Sequence, residues 1–288
     1  MPKYANRVYE VGVNDSPIVS GSGSRMLKLD FVVTVDFGGF TSYGNFKITN
    51  ITEKTAANFK RGEQIYIKCG YEESQDTIFK GSIRNVFRRR EGTETITEIF
   101  ATGGAIEEKR KFINIGLGQG SKVTDALSAI AAALEIPIIF DDAHFSDSQP
   151  FIGGYTMTGD PMTHLKQLAK SYGFSYAVEN GRLIINKNGQ SRAGTIHEIS
   201  MFTGMEGIPE ITEVGVTVST RLNPKLKIGA QIEIKSNSQS INYSNVYFQD
   251  VPDTAGKGLY TIYKLVFSGN THGSAWTSKI IGYRSQSQ

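Results

Sequence analysis

The sequence predicts a mainly β protein with a small α+β insert, and three observations carry that prediction. Apolar and polar residues alternate with period two from Tyr4 to about Thr102 and again from Thr195 onward, the signature of strands with one face on a core. The stretch between them changes to apolar spacings of three and four, as helices require. Glycines (31) and the aromatic pair Tyr (13) and Phe (16) are plentiful, which favours short strands bounded by turns over long helices.

In the first region the runs YEVGV, LKLDFVVTVDF, NFKITNIT, EQIYIKCGYE, DTIFKGSIRNVFRR and TETITEIFAT read as strands. Gly21 to Ser24, Gly38-Gly39, Lys60-Arg61-Gly62 and Glu91-Gly92 supply the turns, because glycine reaches positive φ without steric cost. Thr52 to Asn58 has room for one helical turn. Consecutive strands without a long intervening helix argue for an antiparallel barrel or sandwich.

After Gly103-Gly104, Ser121 is placed to cap a helix through Val123, Leu127, Ile130, Ala131 and Leu134, which Pro137 stops. A second helix has Asp160 at its N-cap, Pro161 in its first position, an apolar stripe of Met162, Leu165, Leu168, Ala169 and Tyr172, and Gly173 as its C-cap. FSYAVENGRLIINK then folds back at Asn180-Gly181, a strong hairpin signal. The last region returns to strands in TEVGVTVST, QIEIKSN, NVYFQDV, GLYTIYKLVFSG and AWTSKIIGY, entered through the linker KNGQSRAG and ending in a polar SQSQ tail. The expected boundaries are 1–104 for the first β region, 105–192 for the α+β region and 193–288 for the last β region.

Composition narrows the functions. A net charge of +3 over 288 residues gives no electrostatic mandate for nucleic acid or an acidic membrane surface. The single cysteine, Cys69, permits no intrachain disulfide, and its setting in YIKCGYEE reads as a buried strand thiol. No signal-peptide run and no span of membrane length is visible, so the chain is expected to fold in a cytoplasm without inserting into a membrane.

Templates for chemistry fail one by one, so no catalytic, metal or cofactor residue is nominated. His144, His164, His197 and His272 lack metal-ligand spacing. The glycine-rich Gly116 to Lys122 misses both phosphate-binding orders and reads as a flexible approach to a capped helix. Asp141 and Asp142 are adjacent, hence badly placed to share one substrate, and read as the start of a loop. Tyr243, Tyr247, Phe248, Tyr260 and Tyr263 could stack on sugars or bases but are more simply core and interface filler. Arg84, Arg88, Arg89 and Arg90 form a local basic cluster; a solvated strand edge is the first reading, with a subunit contact or a polyanion contact as alternatives.

Two stretches carry a resemblance. GNFKITNIT with the following RGEQIYIKCGYEESQDTIFKGSIRNVFRRREGTETITEIFATGG resembles the opening of phage baseplate hub proteins of the late-control-D type, through Gly62, Glu63, Ile65, Gly70, Tyr71, Ile78, Phe79, Gly81 and Ile83. GVTVSTRLNPKLKIGAQIEIKS and GLYTIYKLVFSGNTHGSAWTSKI resemble the closing hub domain, through Leu222, Asn223, Pro224, Gly229, Gly258, Tyr260, Gly269, His272, Gly273 and Trp276, with GMEGIPE as the lead-in. Gly269-Asn270 departs from the more usual Gly-Asp. The matched positions are turn formers and strand residues, so the resemblance implies architecture and no catalytic site.

It implies two tube-like antiparallel β-barrel domains flanking the middle α+β domain. It further implies a homotrimer whose six barrels adapt a sixfold tail tube to a threefold spike protein around a channel for transient DNA passage, among other baseplate proteins of a virion tail. A phage-derived contractile injection particle and a tail-tip cell-wall-degrading module are the alternatives. If DNA passes, arginines on the wall would hold it by phosphate attraction, so Arg84 and Arg88 to Arg90 are expected off the lumen, at subunit contacts or outside.

Overall fold

The computed structural model describes residues 6–24, 26–37, 41–103, 111–212, 215–242 and 257–284. The Gly38-Gly39 turn, the NVYFQDV strand with Tyr243, Tyr247 and Phe248, and the SQSQ tail lie outside the described residues.

The first region contains β1 (Arg7–Val13), β2 (Ser16–Ser22), β3 (Leu29–Asp36), β4 (Ser42–Thr49), α1 (Glu53–Ala56), β5 (Gln64–Tyr71), β6 (Ser74–Glu91) and β7 (Glu94–Gly103). Burial alternates along β3 and β4, as their sequence pattern requires. Thr52 caps α1, its side chain accepting from the Thr55 N–H. Asn14 and Asp15 both take positive φ and turn β1 into β2.

The middle region contains β8 (Ile113–Leu117), α2 (Val123–Leu134), β9 (Ile138–Ile139), a 3-10 turn (Asp142–Phe145), β10 (Tyr155–Gly159), α3 (Pro161–Tyr172), β11 (Phe174–Glu179) and β12 (Arg182–Lys187). Asp160 accepts from the N–H groups of Met162 and Thr163 at 3.1 and 3.2 Å, and Gly173 ends α3 in the left-handed conformation. Asn180 and Gly181, at φ 50° and 77°, make the expected turn from β11 to β12. At α2 the expectation needs correcting. Lys122, not Ser121, is the N-cap residue; the Asp125 carboxylate three residues on accepts from the Lys122 N–H at 2.7 Å, while the Ser121 hydroxyl donates to the Gly118 carbonyl. The helix is therefore capped from within its first turn.

The last region contains β13 (His197–Ser200), β14 (Met205–Thr212), β15 (Gly215–Arg221), β16 (Gln231–Lys235), β17 (Ser240–Asn242), β18 (Gly258–Asn270) and β19 (Trp276–Arg284). The protein is mainly β, but its two β regions do not stand apart. Their strands form one 14-stranded sheet in the order β17-β14-β15-β19-β18-β3-β4-β7-β6-β5-β1-β2, with β16 also on β18 and β13 on β16. Among the described residues this sheet is not closed into barrels. It branches at β18, whose start pairs with β16 and whose remainder, from Lys264 to Asn270, pairs with β3.

The two regions repeat one pairing scheme. The path β3-β4-β7-β6-β5 has its counterpart in β14-β15-β19-β18-β16. Registers agree residue by residue: Gln64 faces Ser82 as Gln231 faces Thr261, and Ile65 faces Gly81 as Ile232 faces Tyr260. The long strands β6 and β18 each slip register once against their hairpin partner, between Ile83 and Asn85 and between Ile262 and Lys264. Both strands thus carry a bulge at matching places.

Both β regions share one apolar core, from Phe46, Ile65 and Ile99 through to Val218, Ile232 and Leu265. The middle region has its own core around Leu127, Ile130, Leu165, Phe174 and Leu183. Polar contacts fasten the two together. The buried Glu179 carboxylate, at the β11 end, accepts from the Ile228 N–H at 2.9 Å and from Arg192 at 3.1 Å. Asn180 Nδ2 donates to the Thr77 carbonyl at 3.2 Å, an acceptor it shares with Lys227 Nζ of the last β region, and Asn186 Nδ2 donates to the Tyr283 hydroxyl at 3.1 Å.

Burial raises the Glu179 carboxyl above the usual carboxylate range; the Ile228 hydrogen bond and the charges of Lys227 and Arg192 oppose it without winning. A folded state that holds this proton more tightly than the unfolded one gains stability fully present below the ordinary glutamate range and lost as pH rises through the folded value. Glu179→Gln, which keeps an acceptor for Ile228, is expected to flatten that loss in urea melts across pH. Glu179→Ala leaves the Ile228 N–H without its acceptor and is expected to cost about 1–3 kcal/mol in the same melts.

Candidate assembly surfaces

The junction of β3 with β18 is built by the β18–β19 turn. Here Gly269 lies against Phe31, and Phe31 meets Trp276 edge-on at 5.4 Å between ring centroids. A Cβ on Gly269 would stand 2.4 Å from the Phe31 ring and 2.7 Å from Trp276, so only glycine lets the two rings close over this strand. The turn also hooks β3 by its backbone: the Thr271 N–H donates to the Leu29 carbonyl at 3.0 Å, and the Leu29 N–H to the Thr271 hydroxyl at 2.9 Å. Asn270 Nδ2 donates to the Asp30 carboxylate, a bond that an aspartate at this position would turn into carboxylate against carboxylate. From β1, the Arg7 guanidinium lies 5.4 Å above the Trp276 ring and donates to the carbonyls of Asn270, Gly273 and Ser274 at 2.9, 2.6 and 3.1 Å.

The other positions carried by the resemblance fall at close approaches and turns. Gly70 and Gly81 take no side chain, because a Cβ would come within 2.1 Å of the Ser74 carbonyl and 2.4 Å of the Thr102 carbonyl. Phe79 is buried against Phe46 at 5.6 Å, and Tyr71 is buried where β5 pairs with Arg7. Gly62, at φ 87°, turns the chain into β5 and donates to the Ile83 carbonyl at 2.9 Å. Gly229, at φ 76°, donates to the Ile262 carbonyl at the same distance. Leu222 is buried, Asn223 Oδ1 accepts from the Lys225 N–H across Pro224, and Tyr260 is buried on β18. Gly273 lies over the Asn270 side chain.

The four arginines sit on the far part of β6, which from Asn85 onward pairs with β7 alone among the described residues. Arg84 Nε donates to the Thr102 hydroxyl at 2.7 Å, Arg88 reaches the Ile51 carbonyl at 3.4 Å, and Arg90 reaches the Gly92 carbonyl at 3.2 Å. Arg89 meets Glu91 at 2.7 Å and Glu98 at 2.6 Å. Glu98 also accepts from Asn45 and lies 3.4 Å from Lys47. Burial raises its carboxyl, but the hydrogen bonds from Asn45 and Arg89 and the charges of Lys47 and Arg89 outweigh that and hold it below the usual range. Phe87 is 54% exposed on this edge, touching Phe100 edge-on at 5.9 Å.

Residues with chemical potential elsewhere are held in structural roles. Cys69 is fully buried on β5, and burial pushes its thiol well up. Asp141 caps the 3-10 turn by accepting from the Ala143 N–H. His164 lies against Tyr155, its Nδ1 3.2 Å from the hydroxyl. Among the described residues no group of three or more His, Cys, Asp or Glu is arranged to hold a metal ion, and no helix is long and apolar enough to cross a membrane.

Residues 41–249 match the baseplate hub gp41 family, which is most of the chain. The chain belongs to this family. In the baseplate hub family the protein is a structural component of phage tails. Solved structures share its fold at low sequence identity. A 43 kDa tail protein of prophage MuSo2 from Shewanella oneidensis is 10% identical with a TM-score of 0.58, each chain covered to 97%. A tail protein from Neisseria meningitidis MC58 is 9% identical with a TM-score of 0.59, each chain covered to 96%. The E. coli c3393 protein, a type VI secretion component described as similar to T4 tail proteins gp27 and gp5, is 10% identical with a TM-score of 0.55, covering 97% of this chain and 77% of its own. No curated protein sequence matches the chain.

For this hub chain, Gly269→Ala is expected to force Phe31 and Trp276 apart at a cost of about 1–3 kcal/mol, read as a lowered urea midpoint. Glu98→Gln is expected to destabilise at neutral pH. That difference shrinks as pH falls through and below the ordinary glutamate range, because wild-type Glu98 then binds the proton its folded environment resists.

Proposed function

We propose that three copies of this chain form a ring that adapts the sixfold tail tube to a threefold spike and leaves a path for DNA. The observation that supports this most is the repeated pairing scheme: β3-β4-β7-β6-β5 and β14-β15-β19-β18-β16 are two like units in one chain, so three chains present six. In the ring each unit becomes one tube-like barrel, the first within 1–104 and the second within 193–288, with the α+β region 105–192 outside them. Edges that are open in the lone chain find partners in a neighbour, which removes the hazard of unpaired strands.

The spike and the tail tube are the partners, and the virion tail baseplate is the place of work. Similarity of fold to tail proteins and to a type VI secretion component is in keeping with this, and a hub of a phage-derived contractile injection particle is the alternative setting. The proposal includes no catalysis. Its role follows from symmetry, with Arg84 and Arg88 to Arg90 turned to subunit contacts and away from the lumen, where they would retain DNA.

Light scattering of the purified chain, alone and with its spike partner, is expected to give the mass of three copies, in a complex that also carries the spike when it is present. A chain that stays monomeric under both conditions overturns the ring. Peptidoglycan turnover by the isolated protein would overturn the absence of catalysis.

A further inference from the structure

We infer that copies of this chain join head to tail through the sheet, the open edge of β6 in one copy pairing with β14 of the next in the register that β18 and β3 use within the chain. This rests on the ring proposed above and specifies its joint. The starting point is the repeat. The strand β18 of the second unit pairs with β3, the first strand of the first unit, from Lys264↔Asp36 to Asn270↔Asp30. By register β6 is the counterpart of β18, and β14 is the counterpart of β3. One junction between units is thus made inside the chain, and the surfaces for a second are left at its two ends: a first-unit β6 and a second-unit β14. A joint between two different surfaces continues head to tail and closes once the rotation completes a ring.

The β6 edge fits this role. From Asn85 to Glu91 no strand pairs its outer side among the described residues, and Phe87 stands exposed there beside three arginines. At the other end, β14 is flanked by Met201, Phe202 and Ile208, which are 71, 73 and 53% exposed. Apolar groups of this size beside a strand edge are what a partner strand and its hairpin would cover.

Register supplies the pairing. Ser268 faces Val32 in the internal junction; the counterpart of Ser268 is Arg89, and that of Val32 is Glu210. By the same count Phe87 faces Thr212 and Arg88 faces Ile211. An arginine opposite a glutamate favours this register, and β14 slips over residues 207–209, so that pairing ends before Glu206 meets Glu91.

Within the lone chain, β17 lies along β14 from Glu210 to Thr212, and Asn242 donates to Glu210 at 2.7 Å. It occupies on β14 the edge that β18 occupies on β3. The joint replaces this strap of three residues, half-exposed or exposed throughout, with the longer β6 edge and replaces the Asn242 amide on Glu210 with the Arg89 guanidinium.

The test mixes Arg89→Cys chains with Glu210→Cys chains under mild oxidation; the native Cys69 is buried and stays out of the reaction. Covalent dimers are expected in the mixture and in neither variant alone. In parallel, hydrogen exchange on the wild-type assembly is expected to show amides of 85–91 gaining protection and those of 240–242 losing it. A wild-type trimer that shows neither the mixed dimer nor this exchange of protection overturns the joint and leaves the ring standing. A wild-type chain that remains monomeric with and without the spike overturns the ring and the joint together.

Discussion

The antiparallel pairing of β3 with β18 is the contact on which the rest of the structure depends. It makes one sheet of two regions that lie at opposite ends of the chain, and it merges their apolar faces into one core. A backbone ladder alone would leave such a junction free to slide, since its hydrogen bonds are nearly the same in any register. Here the register is pinned from three sides: two aromatic rings meet over Gly269, Thr271 clasps Leu29, and Arg7 holds the turn from the side of β1. Large side chains need the missing Cβ, so the smallest residue in the junction decides how closely the two regions approach.

Polar groups do a different task, which is to set the middle region on this sheet. Glu179 and Glu98 are both shielded carboxylates with cationic partners, yet they shift in opposite directions. At Glu179 burial exceeds the help of one backbone N–H and two cations, while at Glu98 the hydrogen bonds from Asn45 and Arg89 and the charges of Lys47 and Arg89 together prevail over burial. The sheet face and the docking point of the α+β region consequently respond to pH with opposite sign.

Much of the fold was legible in the sequence, and for identifiable reasons. The caps of α3, the Asn180-Gly181 turn and the buried Cys69 follow from local rules that tertiary contacts did not override. β2 is not legible because SPIVSGS has little alternation and carries Pro17, which is tolerated where β2 slips register against β1 and forms the sheet edge among the described residues. At α2 propensity points one residue too early, because a serine beside a glycine outranks a lysine, whereas Asp125 supplies the acceptor from inside the helix. Fusion of the two β regions was not legible at all. Period two says which face of β3 and β18 is buried but nothing about which strand lies beside which, and that question is settled by contacts more than two hundred residues apart. Gly269 and Trp276 were singled out through a resemblance, and the packing of Phe31 supplies the physical reason for them.

That separation also bears on how the chain is made. Residues 29–36 leave the ribosome well before residues 264–270, so the growing chain must carry β3 with its outer backbone groups uncovered until β18 has been made. Loop-closure entropy makes such a pairing slow even afterwards. Asp30 and Asp36, near the two ends of the waiting strand, place carboxylates where another nascent copy would try to add a strand of its own. Once β18 arrives, Asn270 and Lys264 meet those same two carboxylates. The charges that protect the unfinished chain from its siblings thus become the marks by which the finished one recognises its own far end.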